Sequence, residues 1–132
     1  WLHPRLGTDV ALLNGLIRII IIENLIDEDF IIHRIEGGLQ AFENLKKLAS
    51  NYPLEKVTEI TGVTPDKLLA AARFYATANR ALIATGMGIS QQVTGTDNVF
   101  SLINIRRFHS SLRTTKIDRF ENHYLERSDL QF

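Results

Sequence analysis

Apolar residues recur along most of this chain at the three- and four-residue spacing of helices that bury one face. The pattern predicts six helices, each bounded by residues that cap or break helices. Their predicted ranges are 8–24, 27–35, 39–50, 54–61, 65–78 and 96–105. The first has Thr8 as its N-cap and Asp9 in its first turn, and it is apolar on most faces from Val10 to Asn24. A helix with that pattern is expected to be buried inside a larger body.

Two polar residues interrupt this apolar helix. Asn14 and Arg18 lie four residues apart and should form one polar stripe. The Arg18 side chain either extends its charge to solvent along the apolar surface or meets a phosphate or carboxylate group. The sequence leaves both roles open.

One stretch departs from the helical pattern. Residues 80–85 run without a helical gap and predict a short buried strand, so the fold class is α/β, mostly helical with one or two short strands. A polar turn, 86–92, follows, with Gly86 and Gly88 at its start. Glycines there allow a sharp turn and close approach of a ligand. The alternative is a plain strand-to-helix turn whose glycines serve only sterically.

The composition narrows the possible functions. The 132 residues suffice for one small domain, and 15 basic residues balance 15 acidic ones. A neutral chain gives no electrostatic reason to expect nucleic acid or an anionic membrane as partner. No cysteine is present to act as a metal ligand, an iron–sulfur ligand or a nucleophile, and the four histidines lack metal-ligand spacing. The longest aliphatic run, Ile19 to Ile22, is too short for membrane insertion.

A non-enzymatic helical binding module is the alternative function. Residues 57–76 can be drawn as a helix–turn–helix, with Gly62 to Pro65 as the turn. The helix that would contact a nucleic acid offers only Lys67 and Arg73 as basic residues. Two cations are few for phosphate contacts, so the sequence favours this alternative less.

Five short motifs occur in one order along the chain, at residues 7–14, 55–63, 71–75, 86–91 and 95–98. In that order they resemble the large subunit of molybdopterin-dependent oxidoreductases, with the formate dehydrogenase alpha subunit most similar. The resemblance covers roughly residues 1–105. It implies part of a Rossmann-like domain that binds molybdopterin guanine dinucleotide carrying molybdenum or tungsten.

The resemblance also implies cofactor-binding residues. Gly7, Thr8 and Asp9 would lie near the nucleotide end of the cofactor, and the turn would contact its pterin dinucleotide through Gly86, Met87, Gly88 and Gln91. Backbone N–H groups at a helix start suit phosphate oxygens, and a Gln amide can both donate to and accept from a pterin edge. An Asp carboxylate can accept from the guanine edge. For Asp9, capping of the first helical turn is an equal alternative.

The same resemblance implies an activity for a longer protein. Formate would lose two electrons and a proton and yield carbon dioxide, with electron-transfer subunits and the remaining domains of the large subunit as partners. The protein ligand of the metal and the iron–sulfur cysteines belong to upstream segments. No catalytic residue and no metal ligand is therefore assigned to this chain, which alone should be inactive. The expected location is cytoplasmic, with a periplasmic one left open.

The family pattern stops near residue 105. An Arg-Gly-Gln-Asn-Asn run that holds the family's catalytic arginine should follow, but the chain continues Ile-Arg-Arg-Phe-His after Asn104. A frameshift, gene break or assembly error is the hypothesis for the tail, 106–132. Neither Arg106 nor Arg107 is given the catalytic role. Because the apolar first helix expects further partners from the longer protein, an exposed apolar patch and self-association are predicted.

Overall fold

The computed structural model describes residues 1–26, 28–34 and 37–106. These residues form seven helices in chain order: α1 (Asp9–Ile22), α2 (Glu28–Arg34), α3 (Gly38–Ser50), α4 (Leu54–Thr61), α5 (Pro65–Thr77), α6 (Met87–Ser90) and α7 (Gly95–Arg106). The mostly helical prediction is confirmed, and α6 is a short helix that the sequence did not predict. The predicted tail lies outside the described residues from 107 onward.

Helix α1 is the centre of the fold. It packs against α3, α4, α5 and α7, and Ile17 and Ile20 on it are fully buried. Val57 of α4 and Leu68 of α5 complete the core around them. Four neighbouring helices of the same chain thus cover most of the apolar surface of α1, while Ile22 at its end stays 63% exposed. The expectation of further partners from a longer protein stays a prediction.

Helices α1, α5 and α7 run in the same direction. Glu23, just after α1, pairs with Arg73 near the end of α5, and the charge of Arg106, the last residue of α7, acts on Tyr75 of α5. At the other end, Arg5 before α1 lies over Gly62, three residues before α5 begins. We call the end where these three helices begin the N-terminal end of the bundle.

The predicted strand over 80–85 is not formed, and no β-strand occurs among the described residues. A strand needs a neighbouring strand to complete its backbone hydrogen bonds, and no described segment forms one. Leu82 in the middle of this segment is 86% exposed. The apolar run is therefore an irregular, exposed connection between α5 and α6, and the α/β class does not hold for the described residues.

The two polar residues of α1 do not form a solvent-facing stripe. Asn14 is buried, where its amide donates to the Val10 carbonyl at 2.9 Å and approaches the Ser101 hydroxyl at 3.4 Å. Arg18 donates to the carbonyl of Ser50, the last residue of α3, at 3.4 Å. This contact lies at the surface, which agrees with a charge that extends to solvent, and a cation there also complements the partial negative charge of the helix C-terminus.

Within the described ranges, no helix combines the length and the apolar character that crossing a bilayer requires.

Candidate functional site

The structure brings the two predicted cofactor segments to the same end of the molecule. The Asn14 amide approaches Ser101 near the middle of the parallel helices α1 and α7. Asp9 lies five residues before Asn14, and Gly95 lies six residues before Ser101, so both helices begin at about the same level. Helix α6 packs on α7. Segments 7–9 and 86–91, separated by more than seventy residues in sequence, therefore both lie at the N-terminal end of the bundle.

The first segment is a tight turn anchored to α4. Arg5 donates through Nη1 to the Glu59 carbonyl at 2.6 Å, and its backbone N–H donates to the Thr61 carbonyl at 2.9 Å. The Thr8 hydroxyl donates to the Arg5 carbonyl at 2.6 Å. Thr8 occupies the N-cap position, but its side chain makes no capping hydrogen bond to α1. The expected side-chain capping is wrong because the hydroxyl closes the preceding turn instead.

Asp9 is half-buried in the first turn of α1. No hydrogen bond to its carboxylate is formed within the part of the chain that the structure describes. Asp66 and Asp97 occupy the first turns of α5 and α7 in the same way. Each of the three helix starts at this end thus has its own carboxylate, which complements the partial positive charge of the helix. Because these carboxylates accept hydrogen bonds and repel anions, this end favours a ligand group that donates hydrogen bonds over a phosphate group.

The glycines of the second segment do not act through unusual backbone angles. Gly86 is extended, with φ −123° and ψ −167°, and Gly88 lies inside α6 without a positive φ. The predicted turn is present, since the Ile89 N–H donates to the Gly86 carbonyl at 3.3 Å, but neither glycine adopts an angle that other residues avoid. An added Cβ at either glycine would meet no atom within 4 Å. The space that a side chain would fill is open, which suits close approach of a ligand to the main chain.

Side chains beside these glycines face outward. Met87 is 69% exposed, and the Gln91 amide nitrogen approaches the Met87 sulfur at 3.5 Å. A thioether is a weak acceptor, so Gln91 keeps most of its capacity to donate and accept. Gln92, in contrast, donates to the Gly88 carbonyl at 2.7 Å and braces the turn. Of the two amides, Gln91 is the one available to a ligand.

Three residues at this end were not predicted as functional. Arg5 anchors the first segment, and Gly95 and Asn98 contact the second. The sequence did contain a signal for Gly95 and Asn98. They lie three residues apart, on one face of α7, where a helix that packs on a core usually has apolar residues. The sequence pattern could not identify Arg5, because its partners are backbone carbonyls of a helix far along the chain.

The shifted pKa values lie at the opposite end of the bundle. Hydrogen bonding to Arg73 lowers the pKa of Glu23. Burial raises the pKa of the Tyr75 phenol, and the charge of Arg106 offsets part of that increase. A cleft of about 230 Å³ also lies at this opposite end, between the end of α1 and helices α2 and α3, where Ile26 and Phe42 contribute to its lining. These features belong to the packing of the bundle and not to the predicted cofactor segments.

The helix–turn–helix shape is present, but its chemistry does not suit DNA. Helix α4 ends at Thr61 and α5 begins at Pro65, with Gly62 in a left-handed conformation between them. Helix α5 buries Leu68 and Ala72 against the core. Its Arg73 forms two hydrogen bonds with the Glu23 carboxylate, at 2.7 and 2.8 Å, so this cation is already paired. This pairing argues against the nucleic-acid alternative.

No protein-family model matches the chain. Individual proteins do. The chain is 39% identical to the F420-dependent formate dehydrogenase 1 subunit alpha of Methanococcus maripaludis over 99 residues, which are 75% of this chain and 14% of that protein. It is 40% identical to the assimilatory nitrate reductase catalytic subunit of Bacillus subtilis over 106 residues, which are 79% of this chain and 14% of that protein.

A solved structure is similar as well. The acetylene hydratase from Pelobacter acetylenicus matches with a TM-score of 0.77 and 35% identity, over 84% of this chain and 15% of that chain. The chain thus spans about one seventh of the length of the curated relatives described above. Together with the ordered motifs, these similarities establish that the chain belongs to the family of formate dehydrogenase alpha subunits and related molybdopterin oxidoreductases.

Proposed function

We propose that this chain forms part of the cofactor cradle of a formate-dehydrogenase-like oxidoreductase that uses molybdopterin guanine dinucleotide. The observation that supports the proposal is that helices α1 and α7 begin at the same end of the bundle, which puts segments 7–9 and 86–91 on that side of the molecule. Two segments so far apart in sequence are brought to one end where a single large ligand can contact both. The chain's family supplies the identity of that ligand.

The residues present fit such a cofactor. The open space beside Gly86 and Gly88 would admit the pterin to the main chain, and the exposed Gln91 amide would pair with its ring edge. Met87 would add a polarisable apolar contact. When bound, the molybdenum or tungsten pterin centre supplies two-electron redox chemistry. This chain's own part is to bind and orient the pterin dinucleotide.

Asp9 would bind the guanine end of the cofactor. Its carboxylate has no hydrogen bond among the described residues and can accept from the guanine N1–H and N2–H₂ donors. Two other carboxylates at this end, Asp66 and Asp97, lie in the first turns of α5 and α7, where they complement the partial positive charge of each helix. If Asp9 only stabilises the start of α1, replacing it should have the same effect as replacing Asp66 or Asp97. The two roles of Asp9 can therefore be told apart by comparing such variants.

The reaction proposed for the longer protein is oxidation of formate to carbon dioxide. Formate dehydrogenase alpha subunits, a nitrate reductase and an acetylene hydratase all share this segment with the chain, so the choice of formate rests on the motif resemblance. The ligand of the metal, the iron–sulfur cluster and the substrate-positioning arginine would come from other parts of the large subunit. Electron-transfer subunits and a cytoplasmic location complete the proposal, and the tail from 106 onward is proposed to lie outside the family pattern.

A matched pair of variants tests the nucleotide contact. In the large subunit that contains this segment, Asp9→Asn and Asp66→Asn each remove one first-turn carboxylate, so each should lose about 0.3–1 kcal/mol of capping stability. Only Asp9→Asn should also lower the guanine nucleotide released from the denatured protein. Equal nucleotide content in the two variants would contradict the role of Asp9 and favour capping alone.

A further inference from the structure

Helix α7 buries its polar face and exposes apolar residues. Gly95, Asn98 and Ser101 are buried, whereas Val99 is 37% exposed and Phe100 is 59% exposed. Although the apolar Ile105 is buried in the usual way, a surface helix rarely buries an amide and a hydroxyl on the same face. Burying amide and hydroxyl groups costs free energy unless they form hydrogen bonds, so this face has a role beyond core packing.

The Asn98 side chain fixes the middle of the 86–91 turn. It is fully buried, and its Nδ2 donates to the carbonyl oxygen of Ile89 at 2.9 Å. Its Oδ1 is buried with no hydrogen-bond partner in the described part of the chain. An apolar residue would avoid that cost, so the hydrogen bond to Ile89 is the evident gain from having an amide at this position.

Gly95 lets the same turn lie directly on α7. An ideal Cβ at Gly95 would overlap the carbonyl oxygen of Ser90 and would lie 2.8 Å from its carbonyl carbon. The backbone of the turn therefore crosses the first turn of α7 where only a hydrogen is tolerated. Gly95 and Asn98 are three residues apart, so the two contacts act from one face of the helix on adjacent residues, Ser90 and Ile89.

The turn needs such an external anchor. Helix α6 has four residues, none of them buried, and its internal bonds include Gln91 N–H to the Met87 carbonyl at 2.8 Å. A single helical turn with a glycine inside it is unstable by itself in water. We propose that Asn98 and Gly95 are positioning residues that hold the 86–91 turn, and with it Gln91, in its binding conformation. The functional meaning of this hold rests on the proposed cofactor role of the turn.

Amide exchange in the 132-residue chain tests the hold without any cofactor. Asn98→Asp replaces the amide donor with a buried carboxylate that faces the Ile89 carbonyl. At neutral pH, the backbone N–H of Gln91 should therefore exchange about three- to tenfold faster than in the unmodified chain. A buried carboxyl has a raised pKa, and once protonated its O–H can donate to the carbonyl. Protection factors, which correct for the intrinsic effect of pH, should therefore recover at about pH 4.5.

Two further variants complete this test. Asn98→Ala buries no charge, so it folds more readily, and it should lose the same protection with no recovery in acid. Asn104→Asp makes the same substitution on the same helix, at a half-buried residue, and should leave the turn unchanged. Unchanged exchange of Gln91 in both Asn98 variants would overturn the proposal, as would an equal loss of protection at Ile17 in the core.

Cofactor content separates this proposal from the proposed function. In the large subunit, pterin is measured by fluorescence after oxidation for Asn98→Asp, Asn104→Asp and Gln91→Ala. Lower pterin in Asn98→Asp and Gln91→Ala, with normal pterin in Asn104→Asp, supports both proposals. If the Asn98 variants loosen the turn but all three variants contain normal pterin, the positioning role of Asn98 stands and the cofactor role of the turn is overturned. Lower pterin in Gln91→Ala alone overturns the positioning role of Asn98.

Discussion

At the scale of single residues, a glycine in the core controls how closely two helices pack. An ideal Cβ at Gly15 of α1 would lie 2.8 Å from both methyl carbons of Val57 in α4. Val57 is fully buried and β-branched, so its methyl groups cannot turn away. The absence of a side chain at Gly15 is therefore a packing requirement of the α1–α4 contact.

The Gly15→Ala variant should lower the free energy of unfolding by about 1–3 kcal/mol, because the added methyl group overpacks the core. Urea denaturation followed by circular dichroism measures the change. Gly88→Ala is the matched control: its Cβ would meet no atom within 4 Å, and it should change stability by less than about 0.5 kcal/mol. Similar losses in both variants would show that the Gly15–Val57 contact is not tight.

The sequence could predict some of these residue roles and not others. The proline at the first position of α5 and the N-cap position of Thr8 are local features, so a short stretch of sequence reveals them, although the Thr8 side chain makes no capping hydrogen bond. The burial of Asn14 was missed because its polar partner, Ser101, is brought to it only by the packing of α7 on α1. Of the two roles predicted for Gly88, a sharp turn and close approach of a ligand, the open space around it fits the second, whereas its backbone angles do not require glycine.

At the scale of elements, the extended N-terminal segment is attached to the end of α4. Arg5 donates to the carbonyls of Glu59 and Ile60 at 2.6 and 3.4 Å, where α4 leaves carbonyl groups without partners in the helix. Gly62 follows with φ 74°, a conformation that side-chain residues rarely adopt. This attachment fixes the turn that leads into Gly7, Thr8 and Asp9.

We therefore expect Arg5→Ala to release this segment. Loss of charge-assisted hydrogen bonds at a helix C-terminus should destabilise the attachment by about 1–2 kcal/mol, and the amide of Thr8 should exchange faster with solvent. Arg80→Ala removes the same side chain at an exposed position and serves as the control. A Thr8 amide that exchanges equally fast in the two variants would show that Arg5 does not hold the segment.

The pair of Arg73 and Glu23 joins the ends of α5 and α1 and should make stability depend on pH. Because Arg73 lowers the pKa of Glu23 below its ordinary value of 4.5, the pair's contribution is present above pH 4.5 and is lost as pH falls through the lowered pKa. Both groups reach solvent, so the contribution is small.

In Arg73→Gln, the melting temperature should fall slightly at neutral pH and should equal that of the unmodified chain in acid. Lys47→Gln removes the same charge in the last turn of α3 and should show no such convergence. A constant difference between Arg73→Gln and the unmodified chain at all pH values would mean that the ion pair with Glu23 is not its cause.

Helix positions were well predicted because their signals are local. The predicted range 54–61 matches α4, and the predicted range 65–78 differs from α5 by one residue. The strand over 80–85 was wrong because strand formation depends on a partner that the local sequence does not encode. The burial of Asn98 on α7 is likewise not encoded locally, since only the position of the 86–91 turn explains it.

At the scale of the whole molecule, large apolar side chains remain on the surface. They occur along the whole described part of the chain, and the most exposed are Val93 at 107%, Trp1 and Leu6 at 102% each and Leu82 at 86%. Helix α1 contributes one of them, Ile22, which is 63% exposed. The N-terminal segment, the outer sides of α5 and α7 and the connection after α5 therefore all present apolar surface on which a partner could pack.

Self-association through these side chains is expected at high concentration. Sedimentation velocity should show a mean mass that rises with concentration, and Phe74→Gln together with Phe100→Gln should reduce that rise, because both rings are exposed and their loss costs the core nothing. A monodisperse monomer of the unmodified chain at high concentration would contradict this expectation.

The isolated chain should not oxidise formate. It has no cysteine to bind the metal, and it offers one part of a cradle that a large ligand needs on several sides. The purified chain with added molybdate should give no formate-dependent dye reduction. Activity that follows the pure protein and disappears in Asp9→Asn or Gln91→Ala would contradict this prediction.

The cofactor content of turn variants tests the central claim most directly. In the large subunit that contains this segment, Gln91→Ala should cost about 1–3 kcal/mol of cofactor binding, and Gly88→Val should cost more because its side chain fills the space open to the pterin. Gln40→Ala, exposed on α3, is the control. The account predicts reduced pterin and metal per polypeptide in the two turn variants, with Gly88→Val lowest and melting temperatures of the cofactor-free proteins unchanged. Normal pterin and metal content in both would contradict it.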